Sequence, residues 1–280
     1  MSSDTAVAEL QSTFTRVEME LITSSILAAG LGARRVPIQV GASLTAIDSL
    51  RKSGSIILRW PLFGLTESLE IDPRVVALAT PFVFPDAALR LSFVNADAMS
   101  GATYCMLPDA TVRVVITESG VSLTPLLTRD VMIALRGDLP LAPRALATRT
   151  GREVDYSIVA AAGELSMGGN RQEAIAELVK AGVPAAVGAE YVEALSAPAS
   201  FGVAFNGTTG VAWLQGADGG PIWWGPMADS QENDSIYVGE INSTDVLIGI
   251  GRLLPGGPGW DDILYPLRDG EGPGMVLVES

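Results

Sequence analysis

Few spacings in this chain could do chemistry. Ser49-Leu-Arg-Lys52 has the Ser-x-x-Lys order of an acylating serine beside a lysine base, yet no Ser-Asp-Asn or Lys-Thr-Gly companion accompanies it. Asp229-Ser-Gln-Glu232-Asn-Asp234 is the densest acidic stretch, but it lacks the spacing and central glycine of a calcium loop and reads as a solvated turn. Asp261-Asp262, after Trp260, reads the same way in a Gly/Pro-rich tail. Gly30-Leu-Gly32 opens like a nucleotide-binding turn but continues Ala33-Arg34-Arg35 without a third glycine. It follows a helical pattern, so it reads as a helix C-terminus. The chain has no histidine, which removes Ser-His-Asp and Cys-His sites. With a single cysteine it also removes nearly all zinc and transition-metal sites. Carboxylate pairs of the glycosidase kind depend on spatial approach, and no spacing here singles one out. The expectation is a protein that is not an enzyme, with no metal and no cofactor.

Composition bounds the class. The 280 residues are 48% hydrophobic with 30 glycines and 17 prolines, enough for a sizeable core and too apolar for disorder. Mean hydropathy is +0.33, yet the longest uncharged stretch, Ser196–Ala217, is broken by Asn206-Gly207-Thr208-Thr209-Gly210 and reads as a hairpin, not a membrane span. The first residues, Met-Ser-Ser-Asp-Thr, show neither the basic region nor the apolar run of a signal peptide. Cys105 falls in an expected strand as a small buried hydrophobe, and one cysteine allows no internal disulfide. A cytoplasmic location is expected. The net charge of −14 is concentrated in residues 141–280. It repels phosphate backbones and anionic lipid, so neither nucleic acid nor a membrane surface is an expected partner.

The elements come twice. Ser243–Pro255 reads as a helix capped by Ser243 or Thr244, with Asp245 in its first turn and Pro255 as its stop. Thr128–Pro140 repeats it: Asp130 matches Asp245, Val131 Val246, Ile133 Ile248, Leu139 Leu254 and Pro140 Pro255. Four strands precede each helix. They are Leu89–Val94, Ala102–Leu107, Thr111–Thr117 and Val121–Pro125 in one case, and Phe201–Phe205, Val211–Gln215, Pro221–Trp224 and Ser235–Ile241 in the other. Upstream of each run lie two helices. The first pair is Ser43–Ser53 and one from Asp72-Pro73 to near Pro81; the second is Asn170–Ala181, with Asn170 and Glu173 as a reciprocal cap, and Pro184–Ser196. The fold class expected is α+β, in two quasi-twofold-related halves, 1–140 and 141–257, followed by a tail, 258–280.

What stands out is apolar and aromatic. Trp213, Trp223 and Trp224 fall on neighbouring expected strands, and adjacent Trp223 and Trp224 must point to opposite faces. One enters a core; the other meets a covering helix or a partner. The turn Asn95–Gly101 carries Ala96, Ala98 and Met99 at its tip, apolar residues where polar ones are usual.

These elements resemble the EspG family, the secretion-associated chaperones of actinobacterial type VII (ESX) secretion. The likeness rests on Ile71-Asp72-Pro73-Arg74-Val75-Val76-Ala77-Leu78, on Pro85-Asp86-Ala87-Ala88-Leu89-Arg90-Leu91, on Gly182-Val183-Pro184 leading to Phe201-Gly202-Val203, and on the closing helix into Leu253-Leu254-Pro255. Phe84-Pro85-Asp86 lacks the arginine usual in that turn. The resemblance implies a cytoplasmic chaperone that binds a PE–PPE-type helical heterodimer and keeps its apolar tip soluble. It implies binding through the loop Asn95–Gly101, hence Asp97, Ala98 and Met99, and through a cleft framed by Asn170–Ser196 and the sheet, hence Tyr191, Trp213 and Trp224. Two other readings stand beside it: a self-assembling structural protein, and a carboxylate-dependent hydrolase.

Overall fold

A computed structural model of the chain describes residues 12–39, 41–59, 68–95, 99–127, 130–139, 151–216, 222–225 and 235–255. The elements, in chain order, begin with β1 (Ser12–Phe14), α1 (Arg16–Ala29), α2 (Leu44–Lys52), β2 (Ile56–Arg59), β3 (Ser68–Ile71) and α3 (Pro73–Val83). The strands β4 (Ala87–Asn95), β5 (Met99–Leu107), β6 (Ala110–Ile116) and β7 (Val121–Leu126) follow, then α4 (Val131–Asp138). Next come β8 (Gly151–Asp155), α5 (Tyr156–Met167), α6 (Arg171–Lys180) and α7 (Ala185–Ser196). The strands β9 (Ser200–Phe205), β10 (Gly210–Gln215), β11 (Ile222–Gly225) and β12 (Ser235–Ile241) lead into α8 (Ser243–Gly251). The class is α+β, and each four-strand run is followed by a helix. Contacts divide the chain into two compact units: Met1–Ala88 with Ala102–Val131, and Leu89–Gly101 with Met132–Ser280.

In the first unit, β1, β7, β6 and β5 lie side by side as antiparallel neighbours, and β2 pairs with β3 in a separate ribbon. Helix α1 starts on a closed capping box. Glu18 donates its backbone N–H to the Thr15 hydroxyl, and Thr15 N–H donates to the Glu18 carboxylate at 2.7 Å. It ends at Gly30, whose φ of 85° needs glycine, as the Gly30-Leu-Gly32 reading requires. Met19, Ile22 and Ile26, spaced for one helix face, enter a core with Leu50, Ile71, Leu78, Val112, Val114 and Leu123. Asp72 caps α3 by accepting from Arg74 N–H, with Pro73 at the first helical position. The helix runs past Pro81 to Val83, beyond the expected end. A mid-helix proline removes a single amide bond, and Phe84 N–H still closes on the Thr80 carbonyl.

The second unit orders its strands β4-β9-β10-β11-β12-β8, all antiparallel. Helices α5, α6 and α7 cover one sheet face. Val159, Ala174, Leu178, Val187 and Tyr191 meet Leu214, Trp223 and Val238 there. Helix α8 packs on β10. Its cap is Asn242, one residue before the Ser243 or Thr244 expected. Asn242 and Asp245 exchange side-chain and backbone bonds at 2.9 and 3.0 Å, a reciprocal pair that neither hydroxyl could form at that spacing. The cap expected at Asn170 makes no side-chain bond, and its φ/ψ of −90°/53° is not the extended conformation a capping residue takes. Cys105 is buried.

Three acids of the first unit give it a pH dependence. Arg35 beside Glu70 holds that buried carboxyl below its usual range against the opposing effect of burial, with Ser68 and Arg59 assisting. Arg74 does the same for Asp72. For Glu18, burial pushes the carboxyl up, but the Ser49 hydroxyl and the Thr15 amide and hydroxyl outweigh it, and the net direction is down. A carboxyl whose folded value lies below its unfolded one adds stability that is complete above the unfolded value and lost as pH falls through the folded one. The unfolded values are 4.5 for Glu18 and Glu70 and 3.8 for Asp72. Thermal stability should therefore be flat from neutral pH to about 5 and fall below 4.5. Melting curves of Glu70→Gln against the parent check this, since the variant should lose part of the acid-side slope.

Candidate functional site

In β4, Leu89, Leu91 and Phe93 are buried while Arg90 and Ser92 face outward, the alternation of a strand with one buried face. Val94 breaks it. It is apolar at an outward position and 41% exposed. Met99, the first residue of β5, is 76% exposed. Gly101 lies against Leu91 and Ser92 so closely that a Cβ there would sit 2.5 Å from the Leu91 carbonyl oxygen. The chain has therefore reversed between Val94 and Met99, and both apolar side chains stand at the same end of the pair. Val94 lies opposite half-buried Phe201 of β9. Phe201 faces buried Leu214, which faces buried Trp223. One row thus runs from the core to the surface, with Val94 as its exposed end.

The opposite face carries a second row. Phe93 pairs with Gly202, Gly202 with Trp213, and Trp213 with Trp224. The Trp213 indole lies against Gly202, whose missing Cβ would fall 2.1 Å from the ring. Trp224 lies against Gly249 of α8, where a Cβ would fall 2.6 Å from its ring. Both glycines are spaces made for an indole.

These positions sort the expected contact residues. Met99 is exposed, as a contact residue must be. Asp97 and Ala98 lie outside the described residues. Trp213 and Tyr191 are fully buried and offer a partner no surface; this corrects the expectation that they line a contact cleft. Tyr191 packs edge-on against Trp223 with ring centroids 6.0 Å apart, and burial pushes its phenol well up, so it stays neutral. The tryptophan of the adjacent pair that enters the α7 side of the core is Trp223, while Trp224, half-buried, is covered by α8. Sequence reasoning missed Val94 and Phe201, although the broken alternation at Val94 was a signal. Among the described residues, no group of three or more His, Cys, Asp or Glu side chains is placed to hold a metal. Within the same residues no helix is long and apolar enough to cross a membrane. What the site offers is outward apolar surface at the end of a rigid sheet.

No family model matches the sequence, and no curated protein matches it. Among solved structures, the chain is similar to the Mycobacterium tuberculosis type VII secretion system chaperone EspG5, determined in complex with the PE25–PPE41 dimer. The TM-score is 0.60 at 12% sequence identity, over 88% of this chain and 98% of that one. The fold is EspG-like.

Proposed function

We propose that the protein is a cytoplasmic chaperone of type VII (ESX) secretion that binds a PE–PPE-type helical heterodimer and keeps it soluble before export. The observation that carries this is the pair Val94 and Met99, apolar and turned outward at the end of β4 and β5, on a fold like that of a chaperone solved with such a dimer. Association driven by apolar surface needs a patch of this kind held on a rigid element. Capture opposes aggregation by mass action, because the bound form is withdrawn from the pool that aggregates. We also read the chain as a duplication of one sheet-then-helix plan. The leading strands of the two runs, β4 and β9, pair antiparallel along Arg90–Asn95 and Ser200–Phe205, the pairing a twofold relation of the runs requires. Co-expression with each PE–PPE-like pair encoded near its own gene tests the function. A stable stoichiometric complex in size-exclusion chromatography is the expected result, and failure to co-purify with any pair would falsify it.

A further inference from the structure

Glu18 has a second aspect besides its cap. It borders a cavity of about 390 Å³ in the first unit, walled by Thr15, Ser49, Ser53, Ser55 and Ser119 among others. The residue is 7% exposed, and its carboxyl is held ionised by the Ser49 and Thr15 donors. Among the described residues, no lysine or arginine lines the cavity and Glu18 makes no ion pair. The adjacent Arg16 turns its guanidinium to the Thr117 carbonyl instead. Three donors, the Ser49 hydroxyl and the Thr15 amide and hydroxyl, leave the carboxylate room to accept about one more hydrogen bond, since its two oxygens take about four. Ser53, just past the C-terminus of α2, brings the partly negative end of that helix to the same wall. The capping box of α1 takes up the Thr15 and Glu18 N–H groups, and the buried Glu18 carboxylate sets the sign of the charge at this wall. A buried charge is tolerated best when paired, and the room exceeds that of a single water, about 30 Å³.

We propose that this cavity is a binding site for one organic cation, an ammonium or guanidinium group, received by the Glu18 carboxylate and the hydroxyl wall. The group belongs either to a free solute or to a lysine or arginine side chain of another protein. The lining of the cavity shares no residue with the apolar surface at Val94 and Met99.

The test is titration calorimetry of the full chain with methylguanidinium, butylammonium, the neutral isostere methylurea, and a blocked peptide carrying one arginine. Methylguanidinium should bind and methylurea should not. Glu18→Gln should weaken binding about tenfold or more, as loss of a charge-assisted bond does. Because glutamine also serves in a capping box, this variant keeps the start of α1. Should it fail to fold, Ser49→Ala with Ser53→Ala, at residues outside that box, replaces it and should weaken binding as well. Equal affinity for methylurea, an unchanged affinity in the variants, or no cation bound up to about 10 mM overturns the site. Equal affinity for peptide and free cation supports it with a solute as ligand. A peptide preference of about tenfold supports it with a protein side chain as ligand. A chain that fails to capture a PE–PPE-type pair but binds the cation loses the chaperone reading alone.

Discussion

Replacing Gly202 with alanine should lower stability by about 1–3 kcal/mol, the usual cost of overpacking a well-filled core, and can exceed it, because the clash involves a rigid ring. The new methyl would fall 2.1 Å from the Trp213 indole. That ring is 0% exposed and cannot swing into solvent. Trp213 also pairs across the sheet with Trp224, which is itself set against Gly249 of α8, so any shift is passed on to the helix. The indole N–H has no hydrogen-bond partner among the described residues. Shortening the side chain therefore gives up packing without stranding an acceptor, and it releases an unsatisfied donor. This makes a clean cycle possible. Trp213→Leu alone leaves a cavity and costs a few kcal/mol, on the order of other large-to-small core changes. The double variant should cost less than the sum of the singles, since the methyl then occupies space the indole has vacated. Thermal or urea unfolding of the four proteins measures the coupling. Strict additivity would mean the ring does not rest on Gly202.

The two four-strand runs and the helices flanking them were legible because local rules fix them, whereas β1, β2, β3, β8 and α5 were not expected. Alternation marked the strands, Asn-Gly and Asp-Gly marked turns, and Asp72-Pro73 marked a helix start that forms as expected. What failed locally is what depends on geometry a pattern does not hold. Asn170 and Glu173 have the right spacing for a reciprocal cap, but the backbone at Asn170 does not take the cap conformation. Asn242 does, and it displaced the hydroxyl residues beside it. The aromatic residues show the larger limit. Composition flags Trp213, Trp224 and Tyr191 as large and unusual, but exposure is decided by what lies opposite. The absence of side chains at Gly202 and Gly249 leaves the space that two indole rings occupy. A sequence shows those glycines without showing that they face tryptophans. Val94 was legible in principle, as an apolar residue one step out of phase with Leu89, Leu91 and Phe93. Its meaning came only from its row, which links it through Phe201 and Leu214 to Trp223.

Met99→Asp should cut the affinity for a captured PE–PPE-type pair by about ten- to several-hundredfold, the loss expected at an interface anchor worth about 1–4 kcal/mol. Exposure and charge together set the size of this loss. At 76% exposed, Met99 contributes little to the core, so the change should move stability by no more than about 0.5 kcal/mol. A carboxylate pressed into an apolar contact must shed its water without a partner, which is far costlier than merely losing the methionine's dispersion contacts. Met99→Leu separates these effects: it conserves volume and polarity and should keep affinity within about tenfold. Val94→Asp provides an independent reading from the other side of the chain reversal. Because both residues stand at the same end of β4 and β5, the double aspartate variant should fall short of the product of the two losses. Titration calorimetry against a purified pair measures all four proteins, and circular dichroism melts confirm that each remains folded. A folded Met99→Asp protein that binds as tightly as the parent would move the capture surface elsewhere on the molecule while leaving the fold intact.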